Sequence, residues 1–165
     1  MPVADLNDTP LYCERSGVGS PPLVFVLGFA CSHEDWARQV ETLARRHTVL
    51  TCDLRGHGTS PGVPSACDIE TFGADVAGLL RVLQLESVVL VGNSMGCRVV
   101  LQAYRDAPDR VAGLVLVDGS FLGGAGESAQ TRMSKAIAAF AQRLALGRWR
   151  YRIGPQVVSP RGCPG

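Results

Sequence analysis

No histidine follows position 57: the chain holds three, His33, His47 and His57. Everything after that point lacks the commonest general base. Long apolar runs are missing too. None approaches the roughly 18 residues of a membrane-crossing helix, so no membrane partner is expected. The opening residues, Met1-Pro-Val-Ala-Asp-Leu-Asn-Asp8, carry neither a basic nor an apolar export signal, which makes a cytoplasmic location the expectation. Charge of one sign is absent: 16 Lys and Arg against 15 Asp and Glu leave a net charge of +1. Such a balance gives no electrostatic reason to expect nucleic acid or an anionic surface as a partner. The six cysteines form no C-x-x-C pair and read as reduced thiols, with Cys52 and Cys97 as small core residues. No His/Cys spacing suits a metal, and nothing implies a cofactor. No internal repeat is visible.

What is present suits one folded domain. Of the 165 residues 46% are hydrophobic and 19% charged, enough apolar material for a core. Ser87 to Val91 is an almost wholly apolar, β-branched stretch, as in a strand buried on both faces of a parallel sheet. Gly92-Asn-Ser-Met-Gly96 follows, and Cys97 to Tyr104 reads as a helix. Leu11–Ser16 and Leu23–Leu27, separated by the turn cluster Gly17-Val-Gly-Ser-Pro-Pro22, read as an N-terminal hairpin. Trp36, Val40 and Leu43 mark one face of a helix that Ser32 or His33 caps. Thr48–Asp53 is a strand, Leu54–Gly62 a glycine-rich loop, Ile69–Leu83 an amphipathic helix and Val111–Asp118 a further buried strand. This alternation predicts an α/β fold: a mostly parallel sheet with helices on both faces.

The G-x-S-x-G pentapeptide carries the chemistry. In so glycine-rich a chain the bare match is weak, and an inert glycine turn is the alternative. Between a buried strand and a helix it becomes specific. A serine on that turn takes a strained backbone that lifts its hydroxyl out of the sheet. The two glycines are needed because a β-carbon at either place would strike the turn. The helix N-terminus aims N–H groups at the place where an oxyanion would form.

Leu27-Gly28-Phe29, Asp53-Leu-Arg-Gly-His-Gly-Thr-Ser60, Gly92-Asn-Ser-Met-Gly96 and Val117-Asp118, in this order, resemble the α/β-hydrolase fold superfamily over residues 10 to 120. The resemblance implies Ser94 as nucleophile and the backbone N–H groups of Phe29 and Met95 as oxyanion donors. Leu27-Gly28 stands where most members have His-Gly, and Phe29 reads alternatively as a core aromatic. A serine separates the chain from relatives that use aspartate, such as epoxide hydrolases. It favours esterase- and lactonase-like chemistry, C–C hydrolases included, on a small-molecule acyl substrate through an acyl-enzyme. Family order is Ser, then Asp or Glu, then a late His; Asp118 is a candidate acid or else a loop-capping carboxylate. His57 is the tempting substitute base, although Gly-His-Gly is also an ordinary feature of that loop.

The expectation is therefore an α/β-hydrolase cut within its cap, nearly inactive for want of the late base. Residues 1–120 would form the core; 121–165 would start a cap or lid helix (Ala129–Leu146, with Met133, Ile137, Phe140 and Leu144 in one stripe) and an irregular tail. Arg148-Trp-Arg-Tyr-Arg152 reads as solvated cap surface rather than a nucleic-acid segment. A non-catalytic protein that keeps the pocket and binds a small ligand is the competing reading, and a frame error near 148–165 is a third. Oligomeric state is not legible.

Overall fold

The computed structural model describes residues 3–6, 9–62 and 67–119, the first of these stretches by backbone alone. The expected cap helix and basic tail lie outside the described residues. Six strands run β1 (Val3–Leu6), β2 (Thr9–Ser16), β3 (Leu23–Val26), β4 (Val49–Cys52), β5 (Val88–Asn93) and β6 (Val111–Val117). Between them come a 3-10 turn at His33–Trp36 and helices α1 (Ala37–Leu43), α2 (Ile69–Val82) and α3 (Met95–Asp106).

The strands form one sheet in the order β1-β2-β4-β3-β5-β6. β4, β3, β5 and β6 are mutually parallel, while β2 joins antiparallel to both β1 and β4. The period-2 alternation of a strand sorts the interior strands onto two cores. Val24, Val26, Leu50, Cys52, Val88 and Leu90 point to the side covered by α2 and α3. Leu23, Phe25, Val49 and Val91 point to the other side, where Trp36 packs with Val40 and Leu43. Helices on both faces are thus as the residue pattern predicts.

The expected hairpin between Leu11–Ser16 and Leu23–Leu27 is overturned. β3 lies between β4 and β5, and β2 pairs with β1 and β4 instead. The reason is burial: all four residues of β3 are apolar and buried, so both its edges go to interior strands. β2 alternates between buried and exposed positions and tolerates a place farther out. Gly17 makes the passage between them possible at φ 70°, where a β-carbon would lie 2.2 Å from the Ala44 carbonyl oxygen.

One ion pair ties the loop after β4 to α2. Arg55 Nε donates to Asp75 Oδ2 at 2.5 Å and Nη2 to Oδ1 at 2.6 Å, with both side chains buried. The planar fork matches the carboxylate bidentately. Asp75 holds the Arg55 guanidinium above its ordinary value, against the opposing effect of burial. Asp68 caps α2, accepting from the Thr71 N–H at 2.7 Å.

Candidate active site

Ser94 sits between the end of β5 and the start of α3, at φ 52° and ψ −112°. An L-residue there is strained, by about 1 to 3 kcal/mol. The flanking glycines permit it. A β-carbon on Gly92 would lie 2.4 Å from the Gly96 carbonyl oxygen, and one on Gly96 would lie 2.4 Å from that of Val26. The turn therefore presses directly on β3. Its backbone is held across the sheet as well, since the Ser94 N–H donates to the Val117 carbonyl at 2.8 Å. Ser94 itself is exposed, and α3 starts at Met95 with its first amides turned toward the same end.

A second loop reaches this turn from β3. A β-carbon on Gly28 would stand 3.4 Å from the Asn93 carbonyl oxygen and 3.5 Å from Ser94 Cβ, so Gly28-Phe29 runs alongside the serine. Phe29 is 41% exposed, which removes the core-aromatic alternative. Its ring meets the edge of His57, centroids 6.1 Å apart, and His57 in turn meets Phe72 at 5.6 Å.

That loop is anchored by Asp53, a wholly buried carboxylate at the end of β4. Asp53 Oδ1 accepts from the His33 N–H at 2.7 Å, and Oδ2 lies 3.0 Å from His33 Nδ1, which must carry the proton to donate. Oδ2 also accepts from the Thr59 N–H at 2.9 Å and from Thr59 Oγ1 at 3.1 Å. Gly58 is obligatory here, since its β-carbon would fall 2.0 Å from that carboxylate. One buried charge thus fastens the loop after β3 to the loop after β4, with the several donors that a buried carboxylate requires.

Asp118 comes one residue after Val117, which pairs with Asn93 in the β5–β6 register. It is exposed at φ 51°, next to the Ser94 turn along the sheet edge. The Cys97 thiol occupies the base of the turn, donating to the Gly92 carbonyl at 3.1 Å and within 3.3 Å of that of Val117. Burial pushes this thiol above its ordinary value, and the Asp118 carboxylate adds to that. Cys97 stays a protonated filler, as its apolar setting predicts.

The histidines have other employment. His33 serves Asp53, the Nδ1 of half-buried His47 faces the Pro21 carbonyl at 3.0 Å, and the Nδ1 of His57 faces the Arg55 carbonyl at 3.1 Å. The sequence reading placed Ser94, Gly28-Phe29, Met95 and Asp118 at one end of the sheet, and the structure brings them there. It missed Asp53 and the His33 contact. The signal was Asp53 with Gly58-Thr59 five and six residues on, a carboxylate followed by a turn able to fold back on it.

A parallel sheet bearing an exposed serine on a strained strand-to-helix turn defines a class, and comparison with known proteins fixes the family. The chain belongs to the alpha/beta hydrolase fold family, whose model matches residues 21–150. It is 35% identical over 133 residues to a dihydrolipoyllysine-residue acetyltransferase component of the acetoin cleaving system of Pseudomonas putida, covering 81% of this chain and 35% of that protein. It is 38% identical over 124 residues to a mouse (Mus musculus) sn-1-specific diacylglycerol lipase, covering 73% and 40%. Among solved structures, Est816, described as an N-acyl homoserine lactone degrading enzyme, superposes with a TM-score of 0.73 at 28% identity, over 86% of this chain and 55% of that one. The chain spans about a third to two-fifths of the length of these two relatives. Among the described residues no helix is long and apolar enough to cross a membrane, and no cluster of His, Cys, Asp and Glu could hold a metal ion.

Proposed function

We propose that Ser94 is the nucleophile of a serine hydrolase that cleaves a small ester or related acyl bond through an acyl-enzyme. The observation that carries this is the backbone of Ser94, an exposed serine held at φ 52° between two glycines that admit no β-carbon. Strain of that kind persists only where the surroundings enforce it. Attack on a carbonyl would put negative charge beside two backbone donors, the Phe29 N–H from the loop after β3 and the Met95 N–H at the first turn of α3. Asp53 supports the first donor by fixing its loop; the positive end of α3 supports the second. Asp118 is the candidate acid on the neighbouring strand end. Water would then clear the acyl group from Ser94.

Serine needs a base, and in the family's chain order the base is a late histidine that these 165 residues do not contain. Turnover by this chain is accordingly expected to fall by something on the order of 10⁴ to 10⁶. Residues 1–120 supply the core in this reading, and 121–165 start a cap or lid helix and an irregular tail.

The test is acylation rather than turnover. Incubation with an activated p-nitrophenyl ester, followed by intact-mass and peptide mapping, should place the acyl group on Ser94 and leave Ser94→Ala unmodified. A folded protein that takes up no acyl group, yet melts higher with a small ligand, supports the non-catalytic binding reading instead.

A further inference from the structure

Cys13 and Cys52 face each other across the β2–β4 pair, directly opposite in register. The neighbouring Asp53 N–H donates to the Tyr12 carbonyl at 2.9 Å. Hydrogen-bonded and non-hydrogen-bonded pairs alternate along an antiparallel ladder, so Cys13 and Cys52 form a non-hydrogen-bonded pair. That is the closer kind, with α-carbons about 4.5 Å apart, inside the span that a disulfide bridges. Both side chains point into the α2/α3 core, 3% and 0% exposed, and both are thiols. Hydrogen bonding with the Cys13 thiol, together with burial, holds the Cys52 thiol well above its ordinary value, and the Cys13 thiol also donates to the Leu11 carbonyl at 3.7 Å. Two sulfurs thus share one dry site on adjacent strands, 39 positions apart in sequence.

We propose that Cys13 and Cys52 are a redox modification site, a cross-strand dithiol that a peroxide converts to a disulfide locking β2 to β4. One sulfur attacks hydrogen peroxide, its S–O bond forms as the O–O bond breaks, and water leaves with the thiol proton. The second sulfur then attacks the resulting sulfenic acid; the S–S bond forms, the S–O bond breaks and a second water carries off the remaining proton and hydroxyl. Two electrons pass from the sulfurs to one peroxide. Since both thiols are buried, the reaction proceeds through opening of the β1–β2 side of the sheet. The bond, once made, closes a long loop in the unfolded chain and raises the melting temperature by several degrees.

The experiment treats the whole 165-residue chain with hydrogen peroxide, alkylates remaining thiols under denaturing conditions, and maps peptides without reductant. A linked Cys13–Cys52 peptide, formed faster at sub-denaturing urea and accompanied by a higher melting temperature that dithiothreitol reverses, is the expected result. Cys13→Ala should remove both signals, and Cys52→Ala provides the same control from the other strand. If Cys13 and Cys52 are recovered alkylated, or linked instead to Cys67 or Cys163, while exposed thiols have reacted, the proposal is overturned. The wild-type map decides it even if both variants fold poorly, and it is independent of Ser94.

Discussion

Two neighbouring strand ends share nearly the same positive φ in very different surroundings. Ser94 at the end of β5 has φ 52° and Asp118 at the end of β6 has φ 51°, one step beyond a registered pair. The first is pressed against β3, roofed by the Gly28 loop and continued into a helix with buried Val99, Val100 and Ala103. The second ends a strand at the sheet's edge among the described residues, with Val115, Leu116 and Val117 at 45%, 37% and 38% exposure. Strain at Ser94 is enforced by packing from three directions; at Asp118 far less opposes relaxation. The Ser94 turn is therefore built into the sheet, whereas Asp118 rests on one strand end.

Glycine substitution should break the symmetry most severely. Gly96→Ala drives a β-carbon to 2.4 Å and 2.7 Å from the carbonyl oxygens of Val26 and Leu27. A cost of more than about 4 kcal/mol is expected, seen as loss of cooperative unfolding. Gly113→Ala in β6, among the described residues, meets only Val89 Cγ2 at 3.8 Å and should stay within about 0.5 kcal/mol in urea titration. Next in size is Arg55→Met, which strands the buried Asp75 carboxylate and should cost about 3 to 5 kcal/mol. The double change Arg55→Met with Asp75→Leu should recover most of that, since it leaves no unpaired charge.

Relief of strain sharpens the comparison further. Ser94→Gly relieves a backbone strained by about 1 to 3 kcal/mol, offset in part by the greater chain entropy of glycine, and should stabilise by roughly 0.5 to 2 kcal/mol; Asp118→Gly should gain less, since aspartate tolerates positive φ. Only the former should abolish acylation. Equal gains at the two positions would show that the Ser94 turn stores no more strain than the shared φ implies. Smallest in stability is Leu116→Lys, within about 0.5 kcal/mol, yet it should lower self-association in sedimentation experiments by placing a charge on the exposed strand.

How much of this was legible depended on whether the determining contact was local. β4 and β5 could be read because their apolar runs report burial directly, and the Ser94 turn because its glycines lie two residues away on either side; β6 forms where expected, but its expected burial is overturned, since its residues are half-buried or exposed on the last described strand of the sheet. The Trp36, Val40 and Leu43 face followed from helical spacing and proved to be the one packed on the sheet. The partner of β2 was not legible, since pairing across a sheet depends on what fills the positions between. Asp75 was hidden for a different reason. It lies three residues after Phe72 and four before Leu79, on the buried stripe of α2, and only its distant partner Arg55 explains a charge there. Asp53 and His33 share that character: a long-range bond between two loops leaves little periodic trace.

The most direct test of the central claim is the reaction of the folded chain with a fluorophosphonate, an electrophile that reports an activated serine whether or not turnover follows. Labelling is read by peptide mapping and compared between wild type and Ser94→Ala at matched stability. The account predicts a single adduct on Ser94, formed faster in native protein than in urea and absent from the variant. Native protein that labels no faster than the urea-unfolded chain, or that labels at serines other than Ser94, would contradict it.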